Sequence, residues 1–229
     1  MTTIYILTGA CMIVSLVTAI FRNFHKERGR LASKLTASLL FCAIGLVAAT
    51  MRTDFNVRAA WLLAALLLGG LGDVLLGLDH FVVPERQSFL FLIGGAPFFI
   101  GHIIYVVLLL SYGSFSPFLF LLIPFVPLLF LSLHLGKVFD LGRSLPFLLL
   151  YGTMLSVMLL STFAVATQGG NIGKLMIFPG ILFTISDTAL FLNRFGSKRA
   201  SKIEPALSFL IMLPYYAAQS LFAISVLYI

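Results

Sequence analysis

Apolar residues run along this chain in blocks too long for the alternation of a strand and too uniform for the striped face of a soluble helix. Eight blocks approach or exceed the about 20 residues needed to cross a bilayer. They lie near 3–21, 34–51, 59–78, 88–110, 117–135, 145–166, 174–193 and 205–228. Backbone groups cannot stay unpaired in hydrocarbon, so the pattern predicts eight transmembrane helices. Pro117, Pro124 and Pro127 must kink or delay the fifth. The polar stretches between blocks are short, which predicts a single transmembrane domain over 1–229 and leaves no room for a soluble one.

The polar residues between the blocks carry a sign. Connections one, three, five and seven hold Arg22, Lys26, Arg28, Arg30, Lys34, Arg86, Lys137, Arg143, Arg194, Lys198, Arg199 and Lys202. Connections two, four and six hold only Arg52, Arg58 and Lys174. The excess of positive charge predicts cytoplasmic odd connections and both termini on the far side.

Composition agrees, with 60% hydrophobic and 10% charged residues, against about 25% charged in soluble domains. A formal net charge of +7 does not indicate nucleic acid, because the basic residues flank apolar blocks, where they set topology and meet anionic lipid. Cys11 and Cys42 fall inside spans and read as small apolar residues. The first block is followed by Arg22, Lys26, Arg28 and Arg30, the pattern of a retained span rather than a signal peptide. The absence of a targeting signal suits a bacterial inner membrane.

Of eight acidic residues, only Asp73 and Asp187 lie well inside apolar blocks. A carboxyl in such a place is costly and points to function. Their surroundings are related: Asp73-Val74-Leu75-Leu76-Gly77-Leu78-Asp79-His80-Phe81 pairs with Asp187-Thr188-Ala189-Leu190-Phe191-Leu192-Asn193-Arg194-Phe195. In the next spans, Pro97 to Tyr105 pairs with Pro214 to Phe222. The offsets, 187 − 73 = 114 and 214 − 97 = 117, suggest two parallel four-helix units, about 1–114 and 115–229. Transporter-like folds often place sites at such repeat interfaces.

Each aspartate stands six or seven residues above Asp79 or Arg194, about 9–11 Å along a helix, so both carboxyls can face one pocket at one depth. Gly69, Gly70 and Gly77 leave the Asp73 face nearly bare, for close helix contact or a ligand. Asp187 has Thr184, Ser186 and Thr188 beside it. Unlike environments separate paired carboxyls into acid and base, which assigns Asp73 as proton donor and Asp187 as the base that activates water. In the alternative reading, each carboxyl only bonds a neighbouring helix.

Further polar side chains mark candidate substrate contacts: His102 and Tyr105 on one face of the fourth span, Tyr215 and Gln219 on one face of the eighth. Lys34 at the start of the second span, Tyr151 early in the sixth and Asn193 closing the seventh complete the set. Lys34 suits a lipid phosphate or a snorkelling topology signal. The four histidines are scattered and give no metal-site spacing.

Gly72-Asp73-Val74-Leu75-Leu76, Gly101-His102-Ile103-Ile104-Tyr105, Leu182 to Thr188 with Asn193-Arg194-Phe195, and Tyr215-Tyr216-Ala217-Ala218-Gln219 resemble the YhhN family of membrane lysoplasmalogenases over nearly the whole chain. One departure is Leu35 after Lys34, where the family tends to have proline. The resemblance implies hydrolysis of the vinyl ether bond of lysoplasmalogens, with membrane lipid as surroundings and no metal or organic cofactor. Two carboxyls suit that reaction, in which carbon is protonated and water attacks the resulting cation.

Two other readings compete. Gly70-Leu71-Gly72-Asp73 and Pro205-Ala206-Leu207 match signatures of intramembrane aspartyl proteases, but there the other aspartate precedes Gly-x-Gly-Asp, and here Asp187 follows it. A proton- or cation-coupled transporter would also use paired intramembrane acids.

Overall fold

The computed structural model describes residues 1–114, 117–137, 142–168, 170–196 and 203–229. Lys198, Arg199 and Lys202 lie outside the described residues. Helices are α1 (Thr2–Asn23), α2 (Glu27–Thr50), α3 (Val57–Gly77), α4 (Pro84–Leu110), α5 (Pro117–Phe120), α6 (Phe125–Leu135), α7 (Leu145–Gln168), α8 (Gly170–Phe195) and α9 (Glu204–Ser225). Among the described residues, eight segments are long and apolar enough to cross a membrane, with α5 and α6 together making the fifth.

The fifth span breaks where its prolines lie. Turn residues follow Phe120, and helix resumes after Pro124. The second span begins earlier than its apolar pattern suggests. α2 starts at Glu27, so Lys34 stands about two turns inside the helix rather than at its start. Glu27, Arg28 and Arg30 look like connection residues in sequence. In the fold Arg30 is buried and its Nε lies 2.8 Å from Glu27 Oε2, which lets a charged turn continue the helix inward.

Pro97, Pro179 and Pro214 sit inside α4, α8 and α9, and the helices run through them. Consecutive helices pack antiparallel by connection, α1 on α2, α3 on α4, α7 on α8 and α8 on α9. Further contacts tie the early and late helices together: α9 lies against α1, α2 and α3, and α4 lies against α7. α6 packs on α7 and leaves Phe125, Leu128 and Leu135 exposed.

Close approach is set by glycine. A Cβ at Gly72 would stand 2.5 Å from the Phe98 ring of α4, and one at Gly69 would overlap Gln219 of α9. Such small-residue contacts drive helix association where lipid removes the usual hydrophobic incentive. They bring α4 and α9 against α3 at the level of Asp73.

Candidate active site

Asp73 and Asp187 line one cavity, which opens between the helix ends joined by the basic odd-numbered connections. Its volume of about 200 Å³ exceeds more than tenfold the about 10–15 Å³ that one water requires. The wall is aromatic and aliphatic, with Leu76, Phe91, Phe98, Phe147, Leu190 and Phe191. Its polar lining includes Lys34, Tyr151, Asn193 and Tyr215 from the sequence-derived set.

The Asp73 side chain is 2% exposed, and two helices supply its partners. Lys34 Nζ of α2 lies 3.1 Å from Oδ1. Ser38, one turn further along α2, donates to Oδ2 at 2.6 Å, and the Tyr216 hydroxyl of α9 approaches Oδ2 at 3.4 Å. Lys34 and Ser38 share a face at i, i+4 spacing, so one helix face delivers both a counter-ion and a hydrogen bond.

Asp187 sits in a different setting. Tyr151 of α7 donates its hydroxyl to Oδ2 at 2.8 Å, and among the described residues no lysine or arginine forms an ion pair with Asp187. His102 of α4 presents Nε2 at 3.7 Å from the same oxygen. Its Nδ1 lies 2.6 Å from the Phe98 carbonyl, which can only accept, so the ring hydrogen is assigned to Nδ1. In the neutral ring Nε2 is then a lone pair facing the carboxyl.

These environments reverse the sequence expectation. The glycine face of α3 does not leave Asp73 bare, because α9 and α2 fill the space it opens. Nor do the neighbouring hydroxyls serve Asp187: Thr184 donates to the Gly180 carbonyl of its own helix, and Ser186 donates to Ile211 of α9. Hydroxyls inside helices commonly bond back to the preceding turn, and α7 supplies the hydrogen bond instead.

Tyr105 and Gln219 do not line the cavity. Both are buried behind it, where the Tyr105 hydroxyl donates to Gln219 Oε1 at 2.8 Å. Gln219 Nε2 in turn donates to the Tyr215 hydroxyl at 3.3 Å, and Tyr215 donates to the Gly69 carbonyl at 3.3 Å. That chain braces α4, α9 and α3 together and orients the Tyr215 ring at the cavity wall. His102 also stands behind the wall, touching the site through Asp187 alone among the lining carboxyls.

Sequence reasoning missed Ser38 and Tyr216. Ser38 could have been found as the residue one turn beyond Lys34, and Tyr216 as the second tyrosine after Pro214. The mouth residues Arg22, Arg30 and Arg194 were legible only as topology signals and Glu204 carried no signal, and the fold brings all four to one opening. Among the described residues no group of histidine, cysteine and acidic side chains is arranged to hold a metal.

The model of the YhhN family matches residues 29–226, nearly the entire chain. No curated protein and no solved structure matches it. The chain belongs to the YhhN family.

Proposed function

We propose that this YhhN-family chain is a membrane-embedded lysoplasmalogenase, hydrolysing the vinyl ether bond of a lysoplasmalogen to a fatty aldehyde and glycerophosphoethanolamine or glycerophosphocholine. The observation that carries the reading is that two buried aspartates from α3 and α8 line one cavity with unlike partners. Paired carboxyls in unlike settings suit acid–base chemistry on an acid-labile ether.

The reaction needs one proton delivered to carbon and one removed from water. Asp187, which has no lysine or arginine counter-ion among the described residues, donates a proton to the outer vinyl carbon, giving an oxocarbenium-like cation at the carbon bonded to oxygen. Asp73, held as the carboxylate of an ion pair with Lys34, stabilises that cation and accepts a proton from the attacking water. The resulting hemiacetal collapses as its C–O bond to glycerol breaks: the proton held by Asp73 goes to the glycerol oxygen, and the hemiacetal hydroxyl proton goes to the Asp187 carboxylate, which restores the donor as the aldehyde leaves. The donor and base assignments are exchanged relative to the sequence reading, and the reason is Lys34. His102 turns a lone pair toward Asp187, so it positions the acid O–H and supplies no proton itself. None of these steps requires a metal or organic cofactor.

The packing of α2 on α9 and of α4 on α7 supports the duplicated four-helix arrangement, since each second helix of one half then meets the fourth of the other. The lipid chain lies among the helices and the head group at the basic mouth, whose charge asymmetry favours the cytoplasmic side, in keeping with a bacterial inner membrane.

The test is aldehyde release from a lysoplasmalogen by detergent-purified protein, beside Asp73→Asn and Asp187→Asn variants matched in stability. Acid–base groups contribute about 10²–10⁴-fold, so both variants are expected to fall at least about a hundredfold. Activity that survived both substitutions would remove the two-aspartate mechanism. Folded wild-type protein releasing no aldehyde would remove the substrate assignment.

A further inference from the structure

Three arginines and three carboxylates meet at the mouth of the cavity, supplied by five elements. Arg22 comes from the end of α1, Glu27 and Arg30 from the start of α2, Asp79 from the turn after α3, Arg194 from the end of α8 and Glu204 from the start of α9. Their formal charges cancel. Two of the arginines converge on one acid at loose distances. Arg30 Nη2 lies 3.6 Å from Asp79 Oδ1, and Arg194 Nη1 lies 3.9 Å from Asp79 Oδ2. Both exceed the about 2.7–2.9 Å of a charge-assisted hydrogen bond.

The Arg30 side chain is only 6% exposed, yet its Nη2 reaches no hydrogen-bond acceptor among the described residues. A buried guanidinium donor left in this way calls for an acceptor. The Arg194 guanidinium is held over the Phe91 ring, 5.3 Å from its centre, at the cavity wall.

We infer that this mouth is a clamp for a zwitterionic phosphodiester head group, with Arg22, Arg30 and Arg194 taking the phosphate and Glu204 the ammonium. The inference rests on the lipid-hydrolase reading of the cavity and deepens it. Six bonds separate the vinyl carbon of a lysoplasmalogen from its phosphorus, about 7 Å when extended at backbone-like bond lengths. The aspartates stand about 9–11 Å along their helices from Asp79 and Arg194, so a phosphate held by arginine side chains reaching inward leaves the vinyl ether beside the carboxyls. The ammonium lies four bonds further out, at the level of the exposed Glu204. Arginine forks recognise phosphate geometry, and the balancing carboxylates disfavour a head group that adds net negative charge.

The experiment is equilibrium binding to the full chain in detergent, using lysophospholipids whose vinyl ether is replaced by a saturated ether so that nothing can be hydrolysed. The saturated-ether lysophosphatidylethanolamine is expected to bind at least tenfold tighter than either the 1-alkylglycerol or the lysophosphatidylglycerol analogue of equal chain length. Arg22→Gln and Arg194→Gln should each weaken the zwitterionic ligand about tenfold and leave the alkylglycerol within twofold. Glu204→Gln should weaken the zwitterionic ligand while sparing lysophosphatidylglycerol. All three substitutions lie at the partly exposed rim, and unliganded unfolding temperatures report whether each variant folds.

Glycerophosphoethanolamine, which has the head group and no chain, should compete only at concentrations at least a hundredfold higher. Equal competition would overturn the lipid assignment in favour of a soluble phosphodiester. Zwitterionic affinity unchanged in folded Arg22 and Arg194 variants, or alkylglycerol binding as tightly as the phospholipid, would overturn the clamp. Because the ligands are inert, head-group-dependent binding without aldehyde release would reject the hydrolase reading alone. Aldehyde release with head-group-independent binding would reject the clamp alone.

Discussion

Lys34 distinguishes the two aspartates more than any other residue. Its ammonium lies 3.1 Å from Asp73, and both side chains are at least nine-tenths buried. Removing one member of such a pair leaves an uncompensated charge and costs about 3–5 kcal/mol, whereas replacing both with apolar groups is often close to neutral. Lys34→Met and Asp73→Leu are therefore each expected to destabilise the folded chain by about that amount. The double variant should lose less than either single one in denaturant titrations of the micellar protein, because it leaves no buried charge unpaired. Additive losses would show that Lys34 acts as a membrane-edge cation rather than as the counter-ion of Asp73. The sequence displayed both residues, but not their meeting, because a lysine beside basic neighbours reads as a topology signal until α2 is seen to begin at Glu27.

At the scale of the element, α3 decides how near its neighbours come. The glycines around Asp73 are not equivalent. A methyl group at Gly72 would press on Phe98, whose carbonyl accepts the hydrogen bond from His102 Nδ1. At Gly70 the nearest atom, Cys42 Sγ, is 3.7 Å from the added carbon, an ordinary contact. Gly72→Ala should therefore cost about 1–3 kcal/mol through overpacking and lower aldehyde release by displacing His102. Gly70→Ala should be tolerated or raise the unfolding temperature, because alanine favours helix over glycine by about 1 kcal/mol. Equal effects of the two substitutions on thermal unfolding would contradict this packing.

The glycine-rich face was legible from spacing alone, and so were the helices and both aspartates, since apolar length and the cost of a buried carboxyl are local properties. Which glycine is tight, and which hydroxyl reaches which carboxyl, depend on neighbouring helices. Tyr151, rather than Thr184 or Ser186, serves Asp187 because α7 lies against α8 with that tyrosine facing inward. Tyr105 and Gln219 were marked as substrate contacts by polarity, yet they satisfy each other behind the wall.

For the whole molecule, the decisive property is which side of the membrane the cavity faces. Its mouth lies among the odd-numbered connections, which hold twelve of the fifteen lysines and arginines. The positive-inside bias predicts that this mouth faces the cytoplasm, so substrate would come from the inner leaflet and the water-soluble product would leave to the cytoplasm. The two native cysteines, Cys11 and Cys42, can be replaced by alanine, Cys11 being buried and Cys42 partly buried. Single cysteines can then be introduced by Thr53→Cys in the second connection and Lys137→Cys in the fifth. A membrane-impermeant maleimide applied to intact cells should label the first and spare the second until the membrane is opened. The reverse pattern would turn the bundle over. It would leave the geometry of Asp73 and Asp187 untouched, but substrate would then enter from the outer leaflet and the arginine-rich mouth would face away from the cytoplasm.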